Sequence, residues 1–124
     1  MDKIIEAINS MVTNSKKITK VILGVASRNP EYFFLYDNKY KWSTMLTEDG
    51  GTKKYYLFFY HGDKTIEELA SFNQWKAGDY ITYKSQDFSS SEEATKAFHV
   101  LYSLVKNKLY KIDEALDEII KGSS

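Results

Sequence analysis

The side chains best suited to acid–base chemistry in this sequence are two histidines, His61 and His99. His61 lies in His61-Gly62-Asp63, where an imidazole stands two residues from a carboxylate. A histidine beside an aspartate is a minimal acid–base pair, because imidazole changes charge near neutral pH. The tripeptide is weakly specific, since glycine and aspartate are also ordinary turn formers after a strand. His99 is flanked by Phe98 and Val100, the setting of a half-buried structural histidine.

Other catalytic patterns are missing. The chain has no cysteine, which removes disulfides, thiolate metal sites and a thiol nucleophile. Two distant histidines do not make the three or four convergent ligands of a zinc site, and Asp49-Gly50 lacks the calcium-loop pattern around it. Glycines at 24, 50, 51, 62, 78 and 122 form neither a phosphate loop nor a dinucleotide fingerprint. No nucleophile elbow occurs, and Ser89-Ser90-Ser91 reads as helix capping. No metal and no cofactor are expected. The only enzymatic reading left is an unrecognised type using His61 and Asp63.

Charge gives less direction than pattern. Formal net charge is zero, so no long-range attraction to nucleic acid or a membrane surface is implied. The distribution is uneven: residues 1–30 carry five cations against two anions, while residues 65–124 carry seven against ten. Lys16, Lys17 and Lys20 form a basic patch, and Asp113, Glu114, Asp117 and Glu118 an acidic one. The acidic set contains like-charge i,i+4 pairs near a helix C-terminus, where negative charge is disfavoured. It reads as a solvated face or as a dock for a basic surface, including another copy's lysines. Arg28 is the only arginine among 17 cations, which argues against phosphate-centred recognition.

The elements that must position these groups follow from periodicity. Ile4, Ile5, Ile8, Met11 and Val12 give residues 2–14 a helical stripe. Residues 18–26 are β-branched and read as a strand, with a continuing helix as the alternative. Ser27 to Pro30 is a loop. Tyr32 to Tyr36, Lys39 to Leu46 and Lys54 to Tyr60 read as strands, joined by turns at Asp37-Asn38 and at Glu48 to Gly51. Thr65-x-x-Glu68 is a capping box opening a short helix, with Ile66, Leu69 and Phe72 on its buried side. Lys76-Ala77-Gly78 turns into a last strand at Asp79 to Lys84.

A second capping box, Ser90-x-x-Glu93, opens the longest stripe: Ala94, Phe98, Leu101, Val105, Leu109, Ile112, Leu116 and Ile119. An unbroken helix to Lys121 would run roughly 45 Å at 1.5 Å per residue, longer than such a domain is wide. A bend near Asn107 or a protruding end is therefore expected.

The expected fold is α+β, with a mainly antiparallel sheet of four to five strands in the order α-β-β-β-β-α-β-α. Its N- and C-terminal helices should pack on one face. Residues 1–121 form one domain of 124 residues' normal size, and 122–124 a flexible tail. No apolar run approaches the ~18 residues of a membrane span. A cysteine-free chain without a secretory pattern fits the cytoplasm.

Two tight hairpins would sort the aromatic residues by strand parity. A two-residue turn at 37–38 sets Tyr36 opposite Lys39, giving an inner wall of Phe33, Leu35, Tyr40, Trp42, Leu57 and Phe59. The other face would hold Tyr32, Phe34, Tyr36, Lys39, Lys41, Tyr56, Phe58 and Tyr60. Such a face is covered by a helix, or is a protein interface rich in rings, or stacks bases over lysine-bound phosphates. The leading reading is a non-enzymatic module that recognises a protein partner, in an adaptor, chaperone, inhibitor or immunity role, as a monomer or homodimer. A nucleotide or single-stranded nucleic-acid binder is the alternative.

Overall fold

A computed structural model describes residues 2–25, 29–71 and 79–122. The Ser27–Arg28 part of the first loop, Phe72, the Lys76-Ala77-Gly78 turn and the last two serines lie outside the described residues.

The element order is the expected one. Helix α1 (Lys3–Thr13) leads through a 3₁₀ turn into strand β1 (Ile18–Leu23), then β2 (Glu31–Tyr36), β3 (Tyr40–Asp49) and β4 (Thr52–Tyr60). Helix α2 (Ile66–Ser71), strand β5 (Tyr80–Lys84), and helices α3 (Ser91–Tyr110) and α4 (Ile112–Gly122) follow. All strand pairs are antiparallel, in the order β1-β2-β3-β4-β5. Residues 18–23 are therefore a strand, as their β-branched content favours. Gly122 closes α4 and so belongs to a helix, not to the tail.

The β3–β4 turn is the tight one expected. Asp49 pairs with Thr52, and Gly50 and Gly51 take the positive φ values that two-residue hairpins need. The β2–β3 turn differs. Asp37 and Asn38 do adopt the left-handed conformation, at φ 56° and 58°, and the Lys39 N–H bonds the Tyr36 carbonyl. Strand pairing, however, resumes one residue later, with Tyr36 opposite Tyr40 and Phe34 opposite Trp42. Lys39 is the extra residue, and it flips the parity of β2 against the other strands.

That shift corrects the expected faces. Tyr32, Phe34 and Tyr36 join Trp42, Tyr55, Leu57 and Phe59 beneath α1 and α3. Phe33 and Leu35 move to the opposite side, with Phe58 and Tyr60, beneath Ile66 and Ala70 of α2. The observed register gathers β2's largest rings over the larger helical layer, while Lys39, left out of the pairing, stays exposed in the turn. Burial of apolar area at about 25 cal/mol per Å² favours that outcome over the two-residue turn.

The main core therefore lies between the sheet and the α1–α3 pair. Ile8, Phe34, Leu57 and Val105 are fully buried there. A second, smaller core lies under α2. The Thr65–Glu68 capping box forms reciprocally: the Glu68 N–H donates to Thr65 Oγ1 at 3.1 Å, and the Thr65 N–H donates to Glu68 Oε1 at 2.9 Å. The second box does not form, because Ser90 caps α3 without a side-chain hydrogen bond. There the Ser90 carbonyl accepts from the Ala94 N–H.

The long C-terminal stripe breaks at Lys111, four residues past Asn107. Lys111 is left-handed (φ 52°, ψ 42°), and its N–H caps the Asn107 carbonyl. The break falls where the core ends. Val105 is buried and Leu109 partly so, whereas Ile112 and residues 114–122 are exposed.

Candidate functional site

The eight residues expected on one aromatic face are split between two. Tyr32 is buried edge-on against Tyr102 at 5.5 Å and Tyr110 at 6.4 Å, and Phe34 has no exposure. Burial pushes the Tyr32 hydroxyl well above its ordinary range, and the nearby Tyr102 and Tyr110 add to this. Tyr56, Phe58 and Tyr60 lie on the α2 side, with Phe58 and Tyr60 buried. Lys41 is on that side too, and its ammonium donates to the carbonyls of Gly62 (2.5 Å) and Lys64 (2.6 Å). It thus pins the chain leaving β4. Lys39 is exposed in the hairpin, with its ammonium 4.8 Å above the Tyr40 ring.

His61 and Asp63 are both exposed, and no hydrogen bond joins them among the described residues. The His61 backbone N–H donates to the Asp79 carbonyl at 3.0 Å, which continues the β4–β5 pairing. His99 is more exposed than the half-buried placement expected of it, yet its Nδ1 meets the Tyr55 hydroxyl at 2.5 Å. Burial and then Tyr102 raise the Tyr55 pKa. Among the described residues no three histidine, aspartate or glutamate side chains converge as metal ligands would.

A buried polar cluster lies beneath α2 that sequence reasoning missed. Ser43 Oγ donates to the Glu31 carboxylate at 2.5 Å and meets the Tyr60 hydroxyl at 2.6 Å. The Tyr60 hydroxyl also reaches Glu31 at 3.2 Å. Burial pushes the Tyr60 hydroxyl far above its ordinary pKa, and the charge of Glu31 adds to this. The cluster is sealed, so it fixes register and offers nothing to a substrate. Its signal was present: with the true parity, Glu31, Ser43 and Tyr60 all fall on the inward side of neighbouring strands.

The open feature lies on the helix-bearing face, over β3, β4 and β5. There a groove of about 570 Å³ runs along α1. One wall is Ile4, Ala7 and Met11; the floor is Tyr40, Trp42, Phe59 and Tyr83. Trp42 packs on Phe59 with ring centroids 4.8 Å apart. Its indole N–H is buried and has no acceptor among the described residues. Tyr36 and Tyr40 border the groove at its hairpin end, and Tyr40 is 41% exposed. Of the eight residues expected to form the binding face, Tyr36 alone borders it.

An apolar floor rimmed by phenol groups suits an amphipathic ligand. No protein-family model, no curated protein and no solved structure matches this chain. Among the described residues no helix is long and apolar enough to cross a membrane.

Proposed function

We propose that this chain is a non-enzymatic binding module whose groove along α1 takes up an apolar segment of a protein partner. The observation that carries this reading is the groove itself, with an apolar wall on α1 facing a four-ring floor on β3, β4 and β5. Helix-in-groove recognition uses such a surface, with aliphatic anchors at one-turn intervals laid against a hydrophobic trough. Tyrosine and tryptophan are also the residues that dominate interface energetics. The absence of cysteine supports action in a reducing compartment such as the cytoplasm.

Base stacking loses its support, because it needed tyrosines and lysines on one open face. Tyr32 and Phe34 are sealed in the core, and Lys41 is held by backbone carbonyls on the other side of the sheet.

The test compares protein capture by the full chain, by Tyr40→Glu in the groove and by Thr82→Glu on the other face. Capture that survives Thr82→Glu and is lost with Tyr40→Glu supports the reading. Equal capture by all three overturns it, as does capture by none when the chain is also monomeric.

A further inference from the structure

Helix α4 stands outside both cores, with its apolar side exposed. Ile112, Leu116, Ile119 and Ile120 are between 42% and 69% exposed. Ile112, Leu116 and Ile119 follow at i, i+4 and i+7, so they form one stripe. Aliphatic residues spaced in this way and left in water are the anchor pattern that a groove recognises.

We infer that the groove of one copy holds helix α4 of a second copy. This rests on the groove being a protein-docking surface. Length fits: Ile112 to Ile119 spans seven residues, as Ile4 to Met11 does along the groove wall, about 10 Å in each case. Charge fits as well. Helix α4 carries four carboxylates (Asp113, Glu114, Asp117, Glu118) against one ammonium, Lys121. The charged residues that line the groove are Asp2 and Lys3, but the surface beyond its hairpin end is basic, with Lys39 beside Tyr40 and with Lys16 and Lys17 in the turn before β1. That turn is tied to the hairpin by the Asp37 N–H donating to the Lys17 carbonyl. Asp37 is the one anion among them, while at the far end Asp2 and Glu93 face Lys3, so the acidic helix is oriented with its carboxylates toward the hairpin.

The same charges decide against the simpler alternative. Two α4 helices packed stripe to stripe would bring together two elements of net −3 each. Exchange into the groove instead pairs opposite signs. It also repeats itself, because each copy owns one groove and one helix, and a two-fold dimer uses both.

Two variants of the full chain test this by sedimentation velocity. Leu116→Asp spoils the helix stripe at an exposed position, and Ala7→Glu puts a carboxylate at a half-buried position of the groove wall. Circular dichroism checks that each is folded. The unchanged chain is expected to dimerise more weakly as salt rises. Each variant should raise the dimer dissociation constant about a hundredfold or more, since the change falls at both of two identical contacts. An equimolar mixture should then form a weaker heterodimer, because one intact helix and one intact groove remain.

A chain that stays monomeric at every concentration overturns the inference, as does a dimer that Ala7→Glu leaves untouched or a mixture that shows no recovery. If the monomeric chain still captures a different protein through Tyr40, the dimer fails while the docking function stands. If dimer and capture are both absent, both fail.

Discussion

Tyr60→Phe should change the sign of its effect on stability between neutral and alkaline pH. In the folded chain the Tyr60 hydroxyl is buried, meets Ser43 Oγ at 2.6 Å and lies 3.2 Å from the Glu31 carboxylate. Both burial and that carboxylate hold its proton on. In the unfolded chain the same hydroxyl loses its proton near pH 10. Below pH 10 both states are protonated, and the contribution of the buried phenol is complete. Above pH 10 the unfolded state releases a proton that the folded state keeps, so stability falls as pH rises.

For one such group the fall reaches about 2 kcal/mol by pH 11.5, with a limiting slope of about 1.4 kcal/mol per pH unit. Removing the hydroxyl costs about 1.5 kcal/mol near neutrality, the low end for a hydrogen bond to a charged group, in keeping with its length. Tyr60→Phe should therefore be less stable than the unchanged chain at pH 8 and slightly more stable at pH 11.5, crossing at about pH 11. Tyr32 and Tyr55, also raised by burial, lower the stability of both proteins alike in alkali. Denaturant unfolding followed by circular dichroism at the two pH values measures the difference. A difference that is the same at both would refute the placement of Tyr60 in a sealed, carboxylate-bearing pocket.

Three further substitutions probe the fold. Phe34→Ala should cost roughly 3–5 kcal/mol in denaturant unfolding, because Phe34 is fully buried beneath the helices; a loss of less than about 1 kcal/mol would return Phe34 to an open face. Asn38→Val, at a left-handed position of the β2–β3 turn, should cost about 1–2 kcal/mol by thermal unfolding, whereas Asn38→Gly should be neutral or stabilising. Thr65→Ala removes one half of the reciprocal capping box at α2 and should cost about 1 kcal/mol. Ser90→Ala, at the cap without a side-chain bond, should cost less in the same unfolding assay.

Element order was legible because each element carries its own signal. The stripe of α1, the β-branched run of β1 and the Gly50-Gly51 turn are local properties, and local physics decides them. Turn chemistry at Asp37-Asn38 was legible as well, since both residues take the left-handed form that their side chains tolerate. The count of residues in that turn was not. Whether Lys39 pairs or is left over depends on which rings β2 buries against α1 and α3, a long-range quantity absent from the hairpin itself.

One residue of slip then moved Tyr32 and Phe34 from a proposed surface into the core, and it hid the Glu31–Ser43–Tyr60 cluster. The groove could not be read from periodicity either. It exists because Trp42, Phe59 and Tyr83 of three strands share a trough with Ile4, Ala7 and Met11 from a helix distant in sequence. The exposed stripe of α4 was half legible. Its spacing predicted a helix, and its length predicted that the helix would outrun the core.

The groove as a protein-docking surface is tested most directly by photo-crosslinking in living cells. Benzoylphenylalanine is placed in the full chain at Tyr40 or Tyr83 on the groove floor, or at Thr82 on the opposite side of β5. A discrete protein adduct, with another chain or with a second copy, is expected from positions 40 and 83 and none from position 82. Adducts of equal yield from all three positions, or from Thr82 alone, would contradict it.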